Sequence, residues 1–329
     1  MSHRRRRGHP WNTSPENEPD DPYDDYRRWL AARPAPALAA APPRARRLPR
    51  HRASALEECW TTIDGVDVFY REAPAPAVSR TMMHIHGFGL SGRYLLPTAE
   101  VLRHDFHTFV PDLPGSGRSG RPRTPLDVPG LADAVARFLD DRQVERATLV
   151  GNSMGCPVIC EFARLHPDRI DRAVLVSPAG GMHNQPVQRA MLQLARDGVR
   201  EPPGLMRIAG PDYLRFGVSS TVRLFRALTH YPSLERLLAL DIPTLVVIGD
   251  RDPLMPGPER LQAVASRTDN HVLAVVIEGA AHAINYSNPR ELANVIRLFM
   301  ADRPIVDDPE APGVTRTYEI HRGSLPSST

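Results

Sequence analysis

Hydrophobic and polar residues follow a regular order from residue 60 to residue 180. Residues 60–72 read as a hairpin that turns at Asp64-Gly65. Beyond it, short β-rich runs alternate with longer segments of helical spacing. The β-rich runs are 81–86, 107–112, 147–152 and 172–177, and the helical segments are 93–103, 126–141 and 154–166. This alternation predicts an α/β fold with a doubly wound, mostly parallel sheet whose strands are joined by helices.

Residues 181–240 interrupt the alternation. They contain several helical stretches with apolar positions such as Met191 and Leu214, but no convincing strand. We predict that they form a helical cap inserted after the sixth strand. The earlier pattern then resumes, with strands at 244–249 and 272–277 and helices at 259–266 and 289–300. The predicted core therefore comprises residues 55–180 and 241–303.

The two ends of the chain differ from this core in composition. Residues 1–54 hold 12 Arg against six Asp and Glu, together with nine of the 34 Pro. Few of their side chains could build a core, so a disordered Arg- and Pro-rich tail is predicted. Residues 304–329 are polar and contain Pro, so we expect a polar C-terminal tail. The rest has the size of one domain with its cap.

Composition and charge argue against several classes of protein. No run approaches the ~18 consecutive apolar residues of a membrane-spanning helix. The run Arg4–Arg7 lacks an aromatic or helical reading element, so we expect a solvated tail and no nucleic-acid partner. Arg33 and Pro34 end the apolar stretch after Arg27-Arg28 too early for an export signal. The three Cys fit no zinc pattern, and reduced thiols in a cytoplasmic protein are expected.

A candidate nucleophile stands at the end of a predicted buried strand. The strand at 147–152 runs directly into Gly151-Asn152-Ser153-Met154-Gly155, which is followed by helical spacing. A strand-to-helix turn this tight exposes the serine hydroxyl, and flanking glycines avoid the collisions that side chains would cause. Glycine-flanked serines also occur in ordinary turns. The motif therefore depends on supporting residues elsewhere in the chain.

An acid and a histidine follow later strands in the order of an acyl-transfer triad. Asp252 follows the apolar strand at 244–249, and His282 comes 30 residues later, after the next strand. Because parallel strands end at one edge of a sheet, both residues are expected near Ser153. Asp250 follows the same strand as Asp252 and is the rival acid.

The segment His84-Ile85-His86-Gly87-Phe88-Gly89 is expected to stabilise negative charge on the attacked oxygen. It overlaps the end of the strand at 81–86. The backbone amides of Phe88 and Met154 are the predicted donors to this oxyanion. His84 and His86 are expected to be structural and to hydrogen-bond the loop.

Together these motifs resemble the α/β-hydrolase fold superfamily over residues 60–301. The matching segments are His86-Gly87, Pro111-Asp112-Leu113-Pro114-Gly115-Ser116-Gly117-Arg118-Ser119, the Ser153 motif and Gly279-Ala280-Ala281-His282. The resemblance implies that Ser153 is the nucleophile, His282 the general base and acid, and Asp252 the orienting acid. It also implies that Phe88 and Met154 are the oxyanion donors.

The family spacing Gly-x-x-Asp-x-x-x-Pro, matched by Gly249, Asp252 and Pro256, favours Asp252 over Asp250. The reaction that the resemblance implies needs no cofactor and no metal. The expected activity is hydrolysis by water of a carboxylic ester, or a related acyl bond, of a small, largely hydrophobic substrate. The sequence does not indicate an oligomeric state.

Other functions remain open within the superfamily. The Ser153 motif and Ser177-Pro178-Ala179-Gly180-Gly181 are similar to the meta-cleavage-product hydrolases, which break carbon–carbon bonds in dienol acids. Those enzymes usually carry a Trp directly after the catalytic His, where this chain has Ala283, and an Arg-Trp pair that this cap lacks. The same fold also accommodates non-catalytic ligand-binding proteins and cofactor-free perhydrolases or haloperoxidases.

Overall fold

One nine-stranded sheet with helices on both faces organises the chain. The computed structural model describes residues 55–74, 80–179, 182–217, 224, 228, 231, 233–266, 271–307 and 316–323. The predicted disordered tail, residues 1–54, lies outside the described residues. The fold below is that of the second of the two units into which the chain divides, Ala53–Thr329.

The sheet is mostly parallel, as the sequence predicts. Its strands are β1 Glu57–Ile63, β2 Val66–Ala73, β3 Thr81–Ile85, β4 His107–Pro111, β5 Ala147–Asn152, β6 Ile170–Val176, β7 Thr244–Gly249, β8 Val272–Ile277 and β9 Thr317–Arg322. They lie in the order β1-β2-β4-β3-β5-β6-β7-β8-β9. The six strands from β4 to β8 in this order are parallel, while β1, β2 and β9 pair in antiparallel fashion. The predicted hairpin joins β1 to β2, and both turn residues, Asp64 and Gly65, have positive φ angles.

Nine α-helices are described. They are α1 Leu96–Leu102, α2 Val128–Asp141, α3 Gly155–Leu165, α4 Val187–Arg200, α5 Pro203–Phe216, α6 Ser233–Leu238, α7 Pro258–Ala265, α8 Ile284–Ser287 and α9 Pro289–Met300. The sequence before α2 shows why this helix begins where it does. The Asp127 carboxylate accepts a hydrogen bond from Gly130 N–H at 3.0 Å, which satisfies one of the N-terminal donors that have no carbonyl partner within the helix. Within the described ranges, no helix has the length and hydrophobicity needed to cross a lipid bilayer.

Alternate residues of the buried strands pack into two hydrophobic cores. Along β7, Val246 and Ile248 belong to the first core, whereas Leu245 and Val247 belong to the second. Helices α2 and α3 cover the first core, and α1 and α9 cover the second. Since successive side chains of a strand point to opposite faces, the two cores lie on opposite sides of the sheet. This arrangement is the doubly wound architecture that the alternation predicts.

Three of the described helices, α4, α5 and α6, lie between β6 and β7 and are called the insert helices below. They occupy the position where the sequence predicts a cap. No strand occurs in the described part of residues 182–240. Several side chains of α4 and α5 face the carboxyl edge of the sheet, where the candidate site lies.

The predicted polar C-terminal tail, residues 304–329, is wrong in part. Residues Thr317–Arg322 form β9, which pairs with β8. The cause is a short alternation of apolar and polar residues, because Tyr318 and Ile320 pack against the first core while their neighbours are polar. Ile305 is also buried, and its N–H donates to Glu319 Oε1 at 2.9 Å.

Candidate active site

Ser153 occupies a strained turn between β5 and α3. Its φ angle is +55°, a left-handed conformation that costs a non-glycine residue roughly 1–3 kcal/mol. The Ser153 N–H donates to the Val176 carbonyl at 3.0 Å, which ties the turn to the neighbouring strand β6. A strained serine held by the surrounding structure has the geometry expected of an exposed nucleophile.

Close backbone packing explains the two glycines around Ser153. A Cβ on Gly151 would lie 2.7 Å from the carbonyl carbon of Gly155, and a Cβ on Gly155 would collide with the Ile85 carbonyl oxygen. Both obstacles are backbone atoms, so neither can move aside as a flexible side chain could. The turn is therefore restricted to glycine at both positions.

His282 and Asp252 meet at the same edge of the sheet. Asp252 follows β7 and His282 follows β8, and Nδ1 of His282 lies 2.8 Å from Oδ2 of Asp252. The other Asp252 oxygen accepts from Leu254 N–H at 2.8 Å. Both residues are buried, so this carboxylate holds the imidazole in a fixed orientation.

Asp250, the rival acid, has a different contact. Its carboxylate accepts from Gly279 N–H at 2.6 Å, in the loop that leads to His282. Of the two acids that follow β7, the structure brings Asp252 to the imidazole and directs Asp250 to the loop backbone.

A cavity of about 500 Å³ joins these residues. Ser153, His282, Phe88 and Met154 all line it, whereas the Asp252 side chain is fully buried behind His282. The insert helices contribute an apolar wall that includes Ala190, Met191, Leu194, Leu205, Met206 and Ala209. Among the described residues, no Arg or Lys lines this cavity. It is suited to an apolar ligand whose reactive group reaches Ser153.

Phe88 and Met154 line the cavity together with Ser153. Met154 immediately precedes α3, at the point where the first N–H groups of a helix have no carbonyl partner within the helix. The ring of Phe88 packs edge-on against Phe216 of α5, with a distance of 5.4 Å between the ring centroids. The role of Phe88 and Met154 as donors to the oxyanion stays a prediction.

A hydrogen-bond chain links the loop of Phe88 to the loop of His282. The Tyr94 hydroxyl accepts from Gly87 N–H at 2.8 Å and donates to Asn152 Oδ1 at 2.7 Å. The Asn152 amide donates to the carbonyl of His282 at 3.1 Å. The sequence predicts neither role, although Asn152 lies inside the Ser153 motif. Tyr94 carries no sequence signal because its partners come from distant loops.

The two other histidines of the oxyanion segment differ in their contacts. His86 Nε2 accepts from Leu113 N–H at 2.9 Å and its Nδ1 lies 2.9 Å from the Gly87 carbonyl, which agrees with the predicted structural role. His84 is fully buried, and neither ring nitrogen has a partner within the described part of the chain, so the predicted hydrogen bond from His84 to the loop is wrong. Burial lowers the pKa of His84 to about 3, so this ring stays neutral.

Two acids that are not predicted from the sequence also reach the His282 loop, one from α4 and one from the residue directly after it. Asp197 Oδ1 accepts from His282 N–H at 3.1 Å, and Glu201 Oε1 accepts from Ala283 N–H at 2.6 Å. Both line the cavity. Their only sequence signal is a spacing of four residues, which puts both on one face of a helix.

Burial and neighbouring charges act together on these titratable groups. Burial lowers the pKa of His282, but the carboxylates of Asp252, Asp197 and Glu201 outweigh it and raise this pKa to about 9. Burial raises the pKa of Glu201 to about 7, and the Asp197 carboxylate adds to this effect. Burial also raises the pKa of Asp197. The site therefore favours a protonated imidazole near neutral pH.

Comparison with known proteins gives a consistent picture. The family model described as "Alpha/beta hydrolase family" matches residues 82–295. A poly(3-hydroxyalkanoate) depolymerase of Ectopseudomonas oleovorans is 28% identical over 239 residues, which are 67% of this chain and 83% of the relative.

Two solved structures are also similar. A bacterial membrane phospholipase A has a TM-score of 0.65 and 25% identity, over 76% of this chain and 87% of that one. A thermophilic esterase from Thermogutta terrifontis has a TM-score of 0.58 and 22% identity, over 75% of this chain and 98% of that one. The latter likeness concerns the fold alone.

Proposed function

Because this chain belongs to the alpha/beta hydrolase family, we propose that it is a serine hydrolase that cleaves a carboxylic ester of a small, largely hydrophobic substrate. One observation carries the proposal. Ser153, in its strained turn, shares a cavity with His282, whose Nδ1 contacts Asp252 at 2.8 Å. A serine, a histidine and a buried carboxylate in this relation can carry out acyl transfer.

In the proposed mechanism, His282 first acts as the base. Its Nδ1 is bound to Asp252, so its Nε2 takes the proton as the Ser153 Oγ attacks the ester carbonyl carbon. The carbonyl oxygen becomes an oxyanion that accepts from the amides of Phe88 and Met154. The intermediate then expels the alkoxide, which takes the proton from His282. A water molecule, deprotonated by His282, attacks the acyl-enzyme. The resulting intermediate releases the carboxylic acid as the Ser153 Oγ leaves and takes the proton back from His282.

The relatives support an ester as the bond that is cleaved. The similar proteins include a poly(3-hydroxyalkanoate) depolymerase and a phospholipase A. The apolar wall of the cavity favours a hydrophobic acyl or alcohol group, since burial of each CH₂ contributes about 0.8 kcal/mol.

The charges around the cavity argue against carbon–carbon bond hydrolysis. A dienol acid carries a carboxylate, and such a group is usually bound by Arg or Lys. The described lining of this cavity contains neither, but it does contain the carboxyl groups of Asp197 and Glu201. These acids would repel a substrate carboxylate, so a neutral ester is the better substrate.

A fluorophosphonate reagent tests the proposal without knowledge of the natural substrate. The protein and its Ser153→Ala variant are incubated with the reagent and their intact masses are compared. We expect one adduct on the unmodified chain and none on the variant, because only an activated serine reacts rapidly. Hydrolysis of 4-nitrophenyl butyrate should be lost in the same variant.

Two results would contradict the proposal. An adduct that persists in Ser153→Ala would place the reactive nucleophile elsewhere. No adduct on a folded sample, judged by circular dichroism, would favour a ligand-binding protein without catalytic activity. Peroxide-dependent oxidation that is faster than ester hydrolysis would instead favour a perhydrolase.

A further inference from the structure

The acid pair Asp197 and Glu201 has an unused hydrogen-bonding capacity beside the candidate nucleophile. Each acid uses one oxygen to accept from a backbone N–H of the His282 loop. The second oxygen of Glu201, Oε2, is shielded from solvent and has no hydrogen-bond partner within the described part of the chain. Glu201 is 6% exposed and lines the cavity together with Ser153.

The position of Glu201 is unfavourable for stability in three ways. It follows the last residue of α4, where the negative end of the helix dipole disfavours a carboxylate. It lies four residues after another acid, and like charges at this spacing repel each other. It is also buried, which penalises its charged form. A buried acid that is placed against all three effects is characteristic of a functional site.

We propose that Glu201 accepts a hydrogen bond from a hydroxyl or ammonium group of the substrate, close to the bond that Ser153 attacks. The inference rests on the proposed ester hydrolysis and adds the substrate class, an ester that carries a hydrogen-bond donor. Because Oε2 is closed to solvent, the Glu201 side chain would turn towards the cavity as the substrate supplies the partner that Oε2 lacks. Asp197 lies one helical turn away in the same cavity and adds negative charge for a cationic donor.

Elementary chemistry makes this subsite selective. An ionised carboxylate only accepts hydrogen bonds, so a methoxy group in place of a hydroxyl would leave Oε2 without a partner. The apolar wall contributes binding energy but does not distinguish these two groups. We therefore expect the donor to decide which of several equally apolar esters reacts fastest. A substrate that lacks the donor is strongly disfavoured, because it leaves a buried polar group of the site without a partner.

The test uses 4-nitrophenyl esters of hexanoic acid at pH 8. The acyl chain is unsubstituted or carries a hydroxyl, an ammonium or a methoxy group at carbon 3 or carbon 6. For each ester, kcat/KM is measured with the unmodified protein, with Glu201→Gln and with Glu145→Gln. Glu145 is exposed, so its variant is the matched control for loss of one negative charge. The ammonium and hydroxyl esters distinguish a charged donor from a neutral one.

Glu201→Gln preserves the shape of the side chain but replaces a hydrogen-bond acceptor with a donor. The Gln carbonyl can still accept from Ala283 N–H, which leaves an NH₂ donor in place of Oε2. We expect the unmodified protein and Glu145→Gln to prefer a hydroxyl or ammonium ester over its methoxy counterpart about ten- to hundredfold. In Glu201→Gln this ratio should fall towards one. The ratio cancels any change in His282 protonation, which affects all the esters alike.

Each outcome is decisive. No donor preference in the unmodified protein, or a preference that survives Glu201→Gln, would overturn the inference while ester hydrolysis itself stands. If no ester reacts and no fluorophosphonate adduct forms, the proposed function fails and this inference fails with it. Should Glu201→Gln not fold, Glu201→Asp retracts the carboxylate by one methylene and must also reduce the preference.

Discussion

Asp197→Asn tests how strongly the insert helices control the candidate base. The substitution removes a charge but keeps a hydrogen bond, because the Asn carbonyl oxygen can accept from His282 N–H as Oδ1 of Asp197 does at 3.1 Å. The carboxylates around His282 raise its pKa to about 9. A general base must be unprotonated, so kcat/KM of the unmodified protein should rise with pH up to about pH 9.

The size of the effect follows from the distance between the charges. The Asp197 carboxylate contacts the main chain of His282 and so lies near the ring of the same residue. For two unit charges about 6 Å apart at an effective dielectric constant of about 20, the interaction is about 3 kcal/mol, or about two pKa units. We expect the midpoint of the pH profile to fall by about one to two pH units, and activity at pH 7 to rise.

The assay follows kcat/KM for 4-nitrophenyl butyrate between pH 5.5 and pH 10 at constant ionic strength. The rate with Ser153→Ala is subtracted at each pH to remove spontaneous hydrolysis. Glu145→Gln, an exposed site, should leave the profile unchanged. An Asp197→Asn profile that coincides with that of the unmodified protein, or whose midpoint moves to higher pH, would refute the electrostatic argument.

Three further predictions follow from the same geometry. Asp252→Asn should lower kcat about 10⁴-fold while the protein stays folded, since the amide favours the wrong imidazole tautomer. A decrease of less than tenfold in the rate of ester hydrolysis would contradict the role of Asp252. Gly151→Ala should destabilise the protein by about 1–3 kcal/mol, because its Cβ would meet backbone at 2.7 Å. In contrast, Gly198→Ala, in open space on α4, should stabilise the protein by about 0.5–1 kcal/mol, and urea unfolding measures both changes. The free energy of unfolding should fall as pH rises from 7 to 9, because the folded-state pKa of His282, about 9, lies above its ordinary value, whereas buried histidines with lowered pKa values, such as His84, act below pH 7. A rise over this range, measured by denaturant titration, would argue against this environment of His282.

Local signals explain how much of this fold could be predicted from the sequence. The strand that becomes β5 is mostly apolar, is buried along its whole length and ends in a motif that only a tight strand-to-helix turn accommodates. The order of strands and helices along the chain also gives the parallel sheet, because each strand returns to the same edge after a crossover helix. Ser153 and His282 are therefore predicted to share that edge, and the structure brings them to one cavity.

The features that the sequence analysis missed depend on contacts between distant segments. β9 has only six residues and half-buried side chains, so its alternation was too short to stand out from a polar tail. Glu201 reads as an ordinary exposed helix residue until α4 is placed over the His282 loop. The choice between Asp250 and Asp252 likewise depends on which carboxylate the loop geometry turns towards the imidazole.

The hydroxyl of Tyr94 joins segments that are far apart in the sequence. It contacts Gly87 in the oxyanion loop and Asn152 before the candidate nucleophile, and Asn152 in turn contacts the His282 carbonyl. Because these groups share one network, the energetic effects of changing Tyr94 and Asn152 should not add. Once either link is broken, removing the other costs less than it would alone. In evolution, these positions are then constrained as a unit, and a tolerated change at one depends on the residue present at the other.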